Sequence, residues 1–323
     1  MKKRILSLFL AFALAFSFTA CDKNNNNNET KQETENKTDE NCKSLETENT
    51  VYPLNIKDML GNEISFSQKP EKIVVLNPDS AEIVNELKGA KDIVAIGQYV
   101  DYPEEILEKP KLQTGDELNA EEIIKLNPDV IFVSDMAQTA EQFKTIKDAG
   151  ISVVTFNAKD LNGVYEEIDL IGKILDKNKE AKDLIGSMKY VFDEIAKDKE
   201  ANKGKSIYFE VSPLEYGLWS AGKGTFMQEA ADMLGLKNIF DDVEGWKEIS
   251  EEEVIKRNPD YIMTITMYSG SGDKPEEEIM KRTGWEEISA VKNKKILNLQ
   301  NNELSRPSPR LKEGFKLLSD FVK

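Results

Sequence analysis

The 323-residue sequence predicts an α/β protein of two similar lobes, each built on a central, mainly parallel sheet, joined by one long backbone helix. Three observations predict this. Seven short apolar runs are continuous rather than alternating, as in strands covered on both faces. The stretch NAEEIIKLNPDVIFV (119–133) returns as SEEEVIKRNPDYIMT (250–264), a constant offset of 131 residues. Between the two copies, residues 160–202 lack proline and repeat apolar positions at helical spacing.

The chain opens with Met1-Lys2-Lys3-Arg4 and the apolar run ILSLFLAFALAFSFTA (5–20), the charged and apolar regions of an export signal. Ala20 then precedes Cys21, and the segment resembles a bacterial lipoprotein signal, with Phe18 where that pattern usually has Leu. The resemblance implies cleavage after residue 20 and a lipidated Cys21. Two acyl chains, at about 0.8 kcal/mol per buried CH₂, give lasting attachment to the outer face of the cell membrane. Residues 21–50 then form a polar tether in which, after Cys21, only Cys42 and Leu45 are apolar. Such a segment buries too little surface to offset its ordering entropy and is expected to be disordered.

From Val51 onward the strand candidates are IVVL (73–76), DIVAIG (92–97), VIFVS (130–134), SVVTF (152–156), SIYFEV (206–211), YIMTIT (261–266) and KILNL (295–299). Helical segments such as SAEIVNELKG and EQFKTIKDAG alternate with them. Each copy of the repeat starts with a capping box, Asn119 with Glu122 and Ser250 with Glu253, and its helix stops before Asn-Pro-Asp because proline cannot continue it. A looser echo pairs LKGAKDIV (87–94) with MLGLKNIF (233–240). In the middle, Asn178 breaks 160–202 into helices of about 15 and about 24 residues, the second about 36 Å long at 1.5 Å per residue. The lobes are therefore expected over 51–176 and 203–323, with 177–202 as a stiff connecting helix and modest opening between them.

Composition narrows function. Lys and Arg total 43 against 59 Asp and Glu, a net charge of −16, which repels nucleic acid and anionic lipid. Histidine is absent, which removes Ser-His-Asp and Cys-His nucleophiles and His-ligated metal sites. Cys21 and Cys42 both precede the core-like sequence, so no disulfide is expected within it. Ala221-Gly222-Lys223-Gly224 lacks phosphate-loop spacing. Glu121, Glu122, Glu251, Glu252 and Glu253 read as helix first turns. An enzyme, or an adhesin without saturable small-molecule binding, is the rival class.

Several stretches together resemble the solute-binding proteins that serve ABC importers of iron chelates, haem and cobalamin. They are KPEKIVVLNPDSAEI (69–83), DYPEE (101–105), EEIIKLNPDVIFV (121–133), AGKGTFMQEAADMLGLKNIF (221–240) and SRPSPRL (305–311). The Asp-Tyr-Pro and Ser-Pro-Arg stretches look most like the cobalamin-binding branch. The resemblance implies the class III periplasmic-binding-protein architecture, with ligand held in the interlobe cleft and no reaction performed. It implies a monomer without cofactor of its own, whose ligand carries the cobalt or iron. It also implies one carboxylate on each lobe that docks on arginines of a permease dimer. Those map to Glu82, which also completes an Asp79-x-x-Glu82 capping box, and to Glu229 or its rival Asp232.

Ligands of α/β lobes lie beyond the carboxyl ends of the strands. The loops found there supply Asn77, Tyr99, Tyr102, Met136, Tyr216, Trp219, Tyr268 and Arg306 as ligand-binding candidates. Aromatics give flat area with polar handles, suited to a macrocycle or aryl chelator. Of five arginines, only Arg306 and Arg310 fall in a loop resembling the family's pocket, too few for a triply anionic catecholate. Haem would need Tyr99, Met136 or Tyr268 as its axial ligand. A corrinoid, bulky and near neutral, or a hydroxamate or other siderophore suits the chain better.

Overall fold

In a computed structural model, which describes residues 49–135, 140–268, 270, 272–299 and 302–323, two sheets are laid down in succession. Cys21, Cys42 and Met136 lie outside the described residues. A hairpin of β1 (Leu54–Lys57) and β2 (Glu63–Phe66) comes first. The first sheet follows, with β3 (Ile73–Val75), β4 (Ile93–Gly97), β5 (Lys111–Leu112), β6 (Val130–Ser134) and β7 (Ser152–Phe156). Its order is β5-β4-β3-β6-β7, parallel throughout. Helices α1 (Pro78–Glu86), α2 (Ala120–Leu126) and α3 (Ala140–Asp148) connect its strands.

Helices α4 (Leu161–Ile174) and α5 (Asn178–Ala196) lead to the second sheet, breaking at Asn178 as expected but shorter than read. The second sheet runs β11 (Trp246–Glu248), β9 (Trp219–Ala221), β8 (Ser206–Ser212), β12 (Tyr261–Thr264), β13 (Ile296–Asn298), with β10 (Lys237–Asn238) also on β8. Strands β8, β10, β12 and β13 are parallel, whereas β9 and β11 are antiparallel additions. Helices α6 (Phe226–Leu234), α7 (Glu251–Arg257), α8 (Pro275–Lys281), α9 (Ser289–Lys292), α10 (Asn302–Ser305) and α11 (Leu311–Val322) complete the chain. Among the described residues no helix is long and apolar enough to cross a membrane.

The repeat is structural. Asn119 caps α2 by accepting from the Glu121 and Glu122 N–H groups, and Ser250 caps α7 by accepting from Glu253. Asn127 and Asn258 then end these helices in the left-handed region, at φ 48° and 44°. Asp129 Oδ2 accepts from the backbone of Glu71 and Lys72 ahead of β3; Asp260 Oδ2 accepts from Ser206 at the start of β8. The second echo holds too, since β4 lies beside β3 as β10 lies beside β8.

Alternate residues of the central strands face different cores, which is why the runs are apolar throughout. Ile73, Val75, Val130 and Phe132 join Ile207, Phe209, Tyr261 and Met263 in one cluster with α1, α4, α5, α6 and α11. Val74, Ile131 and Val133 pack instead with α2 and α3, while Tyr208 and Ile262 pack with Trp285 and α7–α9. On one face the two sheets share a core. There a continuous core crosses the halves along α4, α5 and α11, because those amphipathic helices present apolar side chains to both sheets.

Candidate functional site

The first sheet reverses its direction of growth at β3, with β4 and β5 on one side and β6 and β7 on the other. A crevice at such a switch point is where α/β sheets take their ligands. Here Asn77 caps α1 in extended conformation and Pro78 starts the helix, so Asp79 and Ser80 fall in its first turn. The Asp79–Glu82 capping box is therefore not formed: helix α1 begins two residues earlier than that reading required, and the Asn77 side chain caps no backbone N–H. Gly97, ending β4, passes so close that a Cβ would lie 2.0 Å from the Leu76 carbonyl oxygen.

A cleft of about 480 Å³ opens at this point. The first half lines it with Asp79, Ser134, Asp135, Phe156, Asn157, Ala158 and Lys159, all at carboxyl ends of β3, β6 and β7. Facing them are Gly224, Thr225 and Phe226 at the start of α6, Gly245 and Trp246 at β11, and Ser305 and Pro307 beside α10. Thr225 Oγ1 caps α6 by accepting from the Gln228 N–H. Trp246 is 45% exposed, a flat apolar wall with an open face.

Behind the cleft floor lies a buried polar chain. Asn77 Nδ2 donates to Ser80 Oγ at 2.8 Å, and Ser80 Oγ donates to Glu167 Oε1 of α4 at 2.7 Å. Asn77 Oδ1 and Glu167 Oε2 are buried without a hydrogen-bond partner. Burial lifts Asp79 to about 6, against the Asn77 side chain, its own backbone N–H and the Arg306 charge. Burial, and then the Asp79 charge, raise Glu167 well above the carboxylate range.

One side of the cleft is tied by ions. Arg306 Nη1 donates to Glu82 Oε1 at 2.7 Å and to Asp101 Oδ1 at 2.8 Å. Arg310 donates to Glu82 through Nε at 3.0 Å and Nη2 at 2.6 Å, and its guanidinium lies 4.4 Å over the Tyr102 ring. Asn302 Nδ2 donates to Asp101. Desolvation pushes Asp101 up, but the Arg306 hydrogen bond and charge hold it below the usual carboxylate range. At the far side Glu229 Oε2 accepts from the Leu161 N–H at 3.0 Å. Desolvation, helped by Asp160 and Asp232, raises Glu229 to about 7 despite that bond.

The expected docking acids differ in their surroundings. Glu82 is 1% exposed and satisfied by two arginines from the other half of the chain. Glu229 is half-buried against α4, while its rival Asp232 is the exposed acid on α6. Of the ligand candidates, Asn77 and Arg306 adjoin the cleft without lining it, since each is held by its own partners. Tyr99, Tyr102, Tyr216 and Trp219 are exposed and do not line it, Tyr102 with Arg310 over one face of its ring. Tyr268 lines a separate hollow of about 280 Å³ with Glu210, Asp273 and Glu278, its hydroxyl donating to the Gly272 carbonyl. Residues missed include Asn157 and Lys159, which follow strand SVVTF and were reachable by the same post-strand rule. Glu167 was signalled by its place on the apolar stripe of Val164, Ile168 and Ile171. Trp246 carried no signal, because β11 has no apolar run.

A family profile described as periplasmic binding protein matches residues 73–303. The ABC transporter substrate-binding lipoprotein YvrC of Bacillus subtilis, itself uncharacterized, is 33% identical over 294 residues, 89% of this chain and 91% of its own. A vitamin B12-binding protein of Vibrio cholerae is 22% identical over 78% of this chain and 89% of its own. Among solved structures, a possible iron-binding, periplasmic solute-binding protein of Staphylococcus epidermidis superposes with TM-score 0.69 at 35% identity, over 79% of this chain and 99% of that one. The vitamin B12-binding protein BtuF of Vibrio cholerae shares the fold with TM-score 0.64 at 21% identity, over 78% and 96%.

Proposed function

Because the chain belongs to the periplasmic binding protein family, we propose that it captures a metal-chelate ligand outside the cytoplasm and delivers it to the permease of an ABC importer. The ligand classes are a cobalamin or other corrinoid, in keeping with the vitamin B12-binding relatives, or a ferric siderophore. The observation that carries this reading is the cleft itself. It sits at the switch point of the first sheet and is closed from the opposite half by Trp246 and the start of α6. Trp246 supplies open flat apolar area, and Ser134 and Asn157 supply polar side chains for hydrogen bonds. At about 480 Å³ the cleft takes the metal centre and one face of a bulky chelate, the remainder lying outside it.

No tyrosine lines the cleft among the described residues, so neither Tyr99 nor Tyr268 stands there as an axial ligand, and haem is the alternative ligand. The export signal and Cys21 support a lipid anchor, as does the name of the Bacillus relative. Asp232, exposed on α6, is the docking acid for a permease arginine. Glu82, engaged within the chain, is not proposed for that duty.

A thermal-shift panel of cyanocobalamin, ferrichrome, haemin and ferric enterobactin on the full chain in detergent tests the reading. At 100 times Kd a specific ligand adds about 2.7 kcal/mol. For a unit of this size that is a shift of roughly 5–10 °C. A flat response to all four refutes it.

A further inference from the structure

The charges around the cleft say more about the ligand than its shape does. Among the described residues two carboxylates line it, Asp79 and Asp135, against one basic residue, the exposed Lys159. The two arginines next to it are spent, Arg306 on Glu82 and Asp101, Arg310 on Glu82 and Glu303. Asp79 is only 7% exposed; the Asn77 side chain, its own backbone N–H and the more distant Arg306 charge favour its ionised form, but Arg306 is paired with Glu82 and Asp101 instead. Behind it Asn77 Oδ1 and Glu167 Oε2 are buried without a hydrogen-bond partner. A buried carboxylate without a paired cation is costly, and unsatisfied polar atoms behind it add a smaller cost. The starts of α1 and α6 offset part of this, but a helix end carries only about half a charge, and Asp79 already uses that of α1.

We infer that the cleft selects by charge: it takes a chelate whose inserted face is neutral or cationic and rich in N–H donors, received by Asp79, and it rejects polyanionic chelates. This rests on the solute-binding reading and narrows its ligand class. A protonated amine or a fan of amide N–H groups would complete Asp79. A catecholate or propionate face would meet two like charges and no free guanidinium.

Calorimetric titration of the full chain in detergent separates the possibilities. The probes are a ferric trihydroxamate bearing one protonated amine (ferrioxamine B), two neutral chelates (ferrichrome and cyanocobalamin), and two anionic ones (ferric enterobactin and haemin). The amine-bearing or a neutral probe is expected to bind more than about tenfold tighter than either anion. Asp79→Asn is expected to weaken the amine-bearing probe about tenfold and the neutral probes less than about threefold. Lys159→Glu, at an exposed site that leaves folding intact, is expected to strengthen the amine-bearing probe. Tighter binding of an anion, an amine-bearing probe weakened no more than the neutral probes in Asp79→Asn, or loss of binding in Lys159→Glu overturns the inference and leaves the solute-binding reading standing. Silence of all five probes overturns both.

Discussion

Replacing Glu82 by alanine removes the one carboxylate that three guanidinium N–H groups share across the two halves of the chain. Glu82 is 1% exposed, and the side chains of Arg306 and Arg310 are 14% and 21% exposed, so two mostly buried cations lose their main partner. Breaking such a pair costs about 3–5 kcal/mol. Arg306 keeps Asp101 at 2.8 Å, and Arg310 keeps Glu303 at 3.6 Å and the Tyr102 ring. Those remaining contacts place the loss at the low end, about 3 kcal/mol. At about 2–4 °C per kcal/mol the melting midpoint falls by roughly 6–12 °C. Glu82→Gln keeps an acceptor oxygen and loses the charge, so roughly half that fall is expected. Urea melts give the free energies, and solution scattering reports whether the halves separate. Adding Arg310→Ala to Glu82→Ala should cost less than the two single losses together, by about 1–2 kcal/mol, since each removes the same contact. A midpoint within 2 °C of the parent for Glu82→Ala would show that the cluster behaves like an exposed ion pair, worth about 0–1 kcal/mol, and the interlobe tie would be refuted.

Three further outcomes are expected. Glu229 has a folded pKa of about 7 against an ordinary 4.5, so its contribution is fully present below the unfolded value and is lost as pH rises through about 7. Glu229→Gln keeps the acceptor for the Leu161 N–H and should flatten the fall in stability between pH 5 and 8. The effect is reduced by the group's partial exposure, and an unchanged pH profile counts against the assignment. Trp246→Ala should weaken whichever chelate the wild type binds by about 2 kcal/mol, roughly thirtyfold, with little change in melting point, as titration will show. Asn119→Ala and Ser250→Ala should each cost about 1 kcal/mol in urea melts, because they are the same helix cap used twice; a large inequality would argue that the two copies do different work.

Much of the fold was legible because its signals are local. A strand buried on both faces must be apolar at every residue, and β3, β6 and β12 read so directly. A cap, a left-handed asparagine and a proline lie within ten residues of one another, so the Asn-Pro-Asp units declared themselves twice. The hairpin β1–β2 and the strand β11 escaped, because they are edge or surface pieces whose polar faces imitate loops, and β9 escaped because its three residues are too short a run. Site residues were less legible. The post-strand rule found the right ends of the sheets, and Ser134, Asp135 and Asp79 do line the cleft. It could not rank aromatics within those loops, since exposure at Tyr99 or Tyr216 depends on what the other half places nearby.

By itself the sequence determined an acidic, histidine-free chain with two α/β units of common plan, a leading stretch that resembles an export signal, and a set of loops at strand ends. Those follow from composition and from patterns a few residues long. Only the tertiary structure decided that Glu82 is buried, because its partners Arg306 and Arg310 lie more than 220 residues further along the chain. The same holds for the cleft's surplus of carboxylate: which arginines are free is a property of pairings across the halves, and the charge of a pocket is what remains after those pairings are made.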